Sequence, residues 1–189
     1  MNVNLATDLR SLKQHPFDLL QELERRSKAA LAGASGDAAN VEEWVGIGFR
    51  LADEPFIVAR DDIREVLMIP EPITRVPGAK FWICGLANIR GHLLPIIDLK
   101  AFLGSGSNSR QRDARVLVLK SDELPVGLIV DEVFGFRRFL SREFSSTTPQ
   151  TVVRCDRYLD GAYERSNEVW PVFNMDRLLH SPEFQRAAE

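Results

Sequence analysis

No apolar run in the 189-residue chain approaches the roughly 20 residues needed to cross a bilayer as a helix. The N-terminus, Met1-Asn2-Val3-Asn4-Leu5, shows no basic region followed by an apolar core. Membrane insertion is therefore not expected, and the chain is expected to stay in the cytosol. A basic excess is lacking as well: 24 Lys and Arg against 27 Asp and Glu leave a formal net charge of −3. That balance does not suit a surface built to neutralise phosphates, so nucleic acid is not expected among the partners. With only two cysteines, Cys84 and Cys155, and no CxxC spacing, a disulfide framework and a zinc site are excluded; both are expected as buried thiols.

Catalytic constellations are missing too. Of the three histidines, His15 lies ahead of the first apolar helical pattern and His180 at the last; only His92 falls in a distinctive stretch, and no Cys, Asp or Glu stands at metal-ligand spacing around it. The carboxylate pairs Asp61-Asp62 and Asp131-Glu132 are chain neighbours, which point to opposite faces of a strand and cannot form an acid–base dyad by themselves. The glycines between Gly85 and Gly91 have neither the GK[ST] ending nor the GxGxxG spacing of phosphate loops. Arg137-Arg138, between Phe136 and Phe139, is the one basic-aromatic cluster and reads as a solvated face beside a buried one. No enzymatic activity, cofactor or metal is expected.

What is present is a series of short apolar segments. Phe17, Leu20, Leu23, Ala30 and Leu31 recur at helical spacing, with Pro16 at the first position and Gly33 past the end, and predict a helix of about four turns followed by a small, polar linker to Asn40. Strands are predicted over 44–51, from Phe56 to Ala59 and on past Asp61-Asp62 into 63–67, then over 115–120, 125–130, 131–139, 158–164 and 169–174. Pro70, Pro72 and Pro77 mark an extended loop, Ser105–Ser109 a linker, and Lys100–Gly104 and Met175–His180 short helical turns. Residues 1–40 thus form a tail, helix and linker, and 41–189 the folded remainder.

The most informative stretch is Cys84-Gly85-Leu86-Ala87-Asn88-Ile89-Arg90-Gly91-His92-Leu93-Leu94-Pro95-Ile96-Ile97-Asp98-Leu99. Two apolar arms around a polar bend predict a hairpin of strands 85–90 and 93–98, with Gly91 supplying the positive φ of the turn and Pro95 requiring an edge or a bulge. Shifting the sequence by 76 residues lays Trp82 on Tyr158, Gly85 on Gly161, Pro95 on Pro171, Asp98 on Asn174 and Leu99 on Met175 without a gap; shifts of 68 and 67 relate Phe49–Leu51 to Leu117–Leu119 and Ile63–Val66 to Val130–Val133. The chain is therefore a duplication, each half carrying five short strands suited to a small closed barrel, with an apolar interface and a groove between the halves. Asn88 and Arg90 fall opposite Glu164 and Ser166, so the second half lacks that polar tip.

Gly85, Asn88, Arg90, Gly91, Pro95, Asp98 and Leu99 resemble the G-x-x-N-x-R-G-x-x-x-P-x-x-D-L pattern of the CheW family, the coupling proteins of bacterial chemotaxis arrays. Val126–Val133 is similar to that family's V-G-L-x-V-D-x-V strand pair, and the likeness runs from about Trp44 to Leu179. The resemblance implies an all-β fold of two five-stranded SH3-like barrels side by side, with the N-terminal helix added and a helical turn after each hairpin. It implies a non-catalytic adaptor that holds a CheA-type histidine kinase against the cytoplasmic tip of a methyl-accepting chemoreceptor, in arrays beside the inner membrane. The N-terminal helix, the Gly46–Leu51 opening and the Leu93–Asp98 strand look closest to the branch serving type IV pilus twitching motility; flagellar chemotaxis is the alternative, and a small-ligand or nucleic-acid-binding tandem barrel a more remote one. No receiver domain follows, so a CheV-like regulator is not expected. Carried over residue by residue, the receptor and kinase interface comprises Ile63, Glu65, Gly85, Asn88 and Arg90, with Glu65 as ion partner of Arg90. Gly91, Pro95, Asp98, Gly127, Gly161 and Pro171 are expected to be structural. The kinase is expected on an apolar patch at a barrel end.

Overall fold

The computed structural model describes residues 43–106, 112–121, 125–165 and 167–186. The expected N-terminal helix and linker, His15 and most of the Ser105–Ser109 linker lie outside the described residues. Among the described residues eleven strands run in chain order: β1 (Glu43–Leu51), β2 (Glu54–Ala59), β3 (Ile63–Met68), β4 (Ile83–Ile89), β5 (His92–Asp98), β6 (Arg115–Leu119), β7 (Gly127–Val130), β8 (Glu132–Leu140), β9 (Phe144–Ser145), β10 (Leu159–Arg165) and β11 (Glu168–Phe173). Short helices α1 (Leu99–Phe102) and α2 (Met175–Leu179) follow the two hairpins, and α3 (Pro182–Gln185) ends the described chain. Asp98 Oδ1 accepts the Ala101 N–H at the start of α1 (3.0 Å), and Asn174 Oδ1 accepts the Arg177 N–H at the start of α2 (2.8 Å).

The strands form two sheets. One has the order β8-β1-β2-β11-β10-β9, the other β3-β6-β7-β5-β4. In the first, β8 passes through one 3-10 turn into β9, which pairs with β10, so a single bent segment supplies both ends of the row. In the second, the chain beyond β3 reaches Thr74, which exchanges two 2.8 Å hydrogen bonds with Leu86 on β4. Counting β8–β9 as one bent strand gives five strands in each unit, as the duplication suggests. This return of the chain covers the sheet edges that short strands would otherwise leave open.

The units of structure are not, however, the halves of the sequence. β1 and β2 belong to the sheet built from β8 to β11, whereas β6 and β7 belong to the sheet built from β3 to β5. Each half thus gives its first two strands to the other, through equivalent parallel contacts: β11 beside β2 (Val172 opposite Ile57) and β5 beside β7 (Ile96 opposite Gly127). This corrects the expectation that residues 56–67 form one interrupted strand. The Arg60–Asp62 turn is where the chain leaves one sheet for the other.

Burial follows from this exchange. The largest core, between the sheets, takes Phe49, Phe56 and Val58 from one and Ile97, Leu117, Leu119, Leu128 and Val130 from the other. Their strand neighbours point the opposite way, into two smaller cores: Ile57 joins Phe139, Tyr163, Trp170 and Val172, while Ile96, Val116, Val118 and Ile129 pack together. Strands buried on both faces explain why Leu117–Leu119 and Leu128–Val130 are unbroken apolar runs. Asp131, 2% exposed, pins the crossover: its Oδ2 accepts the Ala52 N–H after β1 (2.5 Å) and lies 3.5 Å from Lys100 Nζ on α1.

Pro95 lies in an interior strand rather than at a sheet edge. Leu86, its partner on β4, directs its own N–H and carbonyl to Thr74, so Pro95 turns its imino nitrogen away from β4, just ahead of the point where pairing with β7 begins at Ile96. No ladder bond is lost. Pro171 has the same place before Val172 on β11.

The exchange predicts that residues 1–106 and 107–189, produced separately, each lack a cooperative unfolding transition, and that mixing them restores the near-ultraviolet circular dichroism of the intact chain. Cooperative unfolding of residues 1–106 alone would contradict this topology.

Candidate protein-docking site at the first hairpin tip

The β4–β5 hairpin closes through a two-residue turn between Ile89 and His92. Both turn residues have positive φ, Arg90 at 51° and Gly91 at 87°, the twist that tight hairpins prefer. Gly91 was expected to have it; Arg90 does so despite its Cβ. The Gly91 N–H donates to Asn88 Oδ1 (2.8 Å), so the Asn88 carbonyl serves the turn and its amide NH2 remains at the surface. Arg90 Nη2 lies 3.0 Å from Glu65 Oε2, the predicted pair, and joins the tip to β3.

Glu65, Asn88 and Arg90 therefore meet in one place. Arg90 and Glu65 share a cleft of about 410 Å³ with His92 and Leu93, and Leu93 is 68% exposed. Ile63 and Gly85 are placed differently. Ile63 is 8% exposed and contributes to the core between the sheets opposite Leu119. Gly85 is buried at a bulge in β4 with φ of 140°, and a Cβ there would stand 2.2 Å from the Thr74 carbonyl oxygen. Gly161 repeats this with φ of 145° and the Ser145 carbonyl at the same 2.2 Å. A constraint present in both halves belongs to the barrel, so Gly85 fits the structural group better than the groove. Gly127 belongs there too, since a Cβ would meet Val116 Cγ1 at 2.6 Å.

The second hairpin shows what is particular to the first. Arg165, one residue ahead of the position opposite Arg90, grips Glu143 through two 3.0 Å bonds and donates to the Arg138 carbonyl at 2.7 Å. Each tip is thus tied to a neighbouring segment by an arginine, the first to β3 and the second to the bent β8–β9 strand, a correspondence hidden from a gapless alignment. Arg165 is consumed by its contacts. The Arg90 side chain makes one ion pair and is 76% exposed, leaving most of its guanidinium donors for a partner.

Other candidate groups are accounted for locally. Cys155 is buried and Cys84 half-buried, and burial pushes both thiols up to about 11, away from nucleophilic thiolates. His92 is exposed at the hairpin tip, and His180 Nδ1 stands 3.2 Å from Asp176. Arg137 lies over the rings of Phe134 and Trp170, Phe139 is buried and Phe136 is exposed, the split expected for that cluster. Among the described residues, no group of three His, Cys, Asp or Glu side chains could hold a metal ion. No helix among them is long and apolar enough to cross a membrane.

The two exchanged barrels and the Asn-x-Arg-Gly hairpin define a class: the chain belongs to the CheW-like family, whose domain matches residues 45–183. Members are non-catalytic scaffolds of chemotaxis-type signalling. Within that class the chain is 37% identical over 171 residues to Protein PilI of Pseudomonas aeruginosa, covering 90% of this chain and 95% of that one. It is 26% identical over 162 residues to Chemotaxis protein CheW of Helicobacter pylori, covering 85% and 95%. The crystal structure of the scaffolding protein TtCheW from Thermoanaerobacter tengcongensis superposes with a TM-score of 0.64 at 24% identity, covering 75% of this chain and 96% of that one, which establishes the fold.

Gly85→Ala and Gly161→Ala are each expected to destabilise the protein by about 3 kcal/mol or more in urea unfolding, since each combines a disfavoured φ with an overlap on backbone. A loss under about 1 kcal/mol in either would refute the shared packing constraint. Arg165 holds the Glu143 carboxyl below its ordinary value of 4.5. The folded state therefore gains from ionised Glu143 above that value and loses the gain as pH falls through the lower folded value. Glu143→Gln should melt below the parent protein at pH 7, and the gap should narrow progressively below pH 4.5; a constant gap would exclude the linkage.

Proposed function

We propose that this scaffold couples a methyl-accepting chemoreceptor to a CheA-type histidine kinase in an array at the inner membrane, and that its output is twitching motility driven by type IV pili. The observation that carries this reading is the exposed, singly paired Arg90 beside Leu93 in the Glu65 cleft. A guanidinium with free donors next to an apolar side chain suits a transient protein interface. Glu65, Asn88 and Arg90 form the contact surface, while Ile63 and Gly85 belong to the frame that carries it. The kinase takes an apolar patch at a barrel end, as the resemblance implies. Flagellar output is the second reading, favoured by the CheW relatives; the greater likeness to PilI over nearly the whole chain favours pili.

Arg90→Glu should leave the free energy of unfolding in urea within about 1 kcal/mol of the parent, because an exposed ion pair contributes little, yet abolish co-purification of the receptor's cytoplasmic fragment with the chain. Full capture by a folded Arg90→Glu protein would overturn the site. A strain lacking the chain should lose twitching and keep swimming; the reverse would assign it to flagella.

A further inference from the structure

The loop that enters β4 carries a feature the hairpin site does not use. Phe81 is 77% exposed, more than any other large apolar side chain among the described residues. It stands between two concavities, one of about 550 Å³ that includes Arg75 and Val76 and one of about 360 Å³ that includes Trp82 and Arg186; Lys80 and Phe81 line both. Neither shares a residue with the Arg90 cleft.

The charge of this surface is one-sided. Among the described residues Arg75 and Lys80 pair with no carboxylate. The carboxylates lining the two concavities are already engaged: Asp98 is buried at the start of α1, and Glu183 pairs with Arg157 at 3.0 Å. On a chain of net charge −3 this is a local cationic excess around an apolar ridge.

The fold does not require these side chains. In the duplicated half, Asp156 and Arg157 occupy the positions of Lys80 and Phe81. The backbone turn is the same in both, with the Ile83 N–H donating to the Lys80 carbonyl and the Leu159 N–H to the Asp156 carbonyl. A phenylalanine held in water with no packing return, flanked by unpaired cations and two cavities, has the composition of a binding hot spot.

We propose that the Phe81 surface docks an acidic amphipathic segment of a partner protein, whose apolar side chains straddle Phe81 into the two concavities while its carboxylates meet Arg75 and Lys80. This contact is separate from the hairpin site and goes beyond the reading given for it.

The test uses the full chain and a dye-labelled synthetic helix of about five turns, Leu along one face and Glu on the rest, against a control in which Lys replaces Glu. In fluorescence anisotropy the Glu peptide should bind at least roughly tenfold more tightly than the Lys peptide and weaken as salt is raised. Phe81→Ser and the double variant Arg75→Glu/Lys80→Glu should each lose roughly tenfold or more in affinity, with Arg90→Ala unchanged. Phe81 and Arg75 are exposed and Lys80 is half-buried, and thermal melts check that each variant folds. Equal binding of the two peptides, binding of neither, or a Phe81→Ser protein that binds as the parent does would overturn the proposal. So would sedimentation showing self-association of the parent that Phe81→Ser abolishes, which would assign the surface to a second copy of the chain. Loss of receptor capture in Arg90→Glu with peptide binding intact separates this contact from the hairpin site.

Discussion

The parallel contacts of β11 with β2 and of β5 with β7 are the constraint on which the molecule depends. They make each barrel a product of both sequence halves, and they turn the strands around the crossover into two-faced elements, buried against the opposite sheet on one side and inside their own barrel on the other. The core between the sheets is the largest because both barrels close onto it. At the crossover Asp131 is buried with its Oδ2 held by the Ala52 N–H and 3.5 Å from Lys100 Nζ, while its Oδ1 has no hydrogen-bond partner among the described residues. The two barrels therefore form and fail together, which gives the surfaces on them a fixed mutual geometry.

A duplicated scaffold also supplies its own control. What both halves share is the demand of the fold: Gly85 and Gly161 under a neighbouring carbonyl, Pro95 and Pro171 just ahead of a parallel contact, Asp98 and Asn174 capping the following helix. Where the halves differ, the fold does not dictate the side chain. By that criterion the tie between hairpin tip and a neighbouring segment is architecture, since Arg165 and Glu143 make it in the second half as Arg90 and Glu65 do in the first. What distinguishes the first half is the incompleteness of its tie. Three bonds hold the Arg165 guanidinium, whereas one ion pair holds that of Arg90.

The strands, hairpins, helical turns and the duplication itself were legible because they rest on local signals: alternation, turn residues, and Gly, Pro and Asp at fixed offsets. The Arg90–Glu65 pair was legible through the family resemblance. Strand exchange was not, because neither Phe56–Ala59 nor Ile63–Leu67 carries a local signal of which sheet receives it, and the Arg60–Asp62 turn separating them looks like a short interruption. Ile63 illustrates a second limit. Its position in a motif suggests a role at an interface, but motif and burial are different properties, and only the pairing opposite Leu119 shows it facing the core. Arg165 was missed for a third reason: a gapless alignment compares position with position, whereas long side chains reach equivalent places from neighbouring residues.

The separation of shared from unshared features bears on how one small chain can carry more than one exposed surface on a fixed frame. A scaffold must bind without reorganising, because each contact has to persist while the other forms. The fused barrels supply that rigidity, and exposed side chains can then vary at little cost to stability, since solvated substitutions on a well-packed frame move it by only a few tenths of a kcal/mol to about 0.5 kcal/mol. Arg90 at a two-residue turn and Phe81 beside a backbone turn repeated in both halves are both of this kind: their main chains are fixed by the fold and their side chains are released from it. That division, with backbone held by the duplication and side chains free on one half, lets a symmetric architecture present asymmetric surfaces.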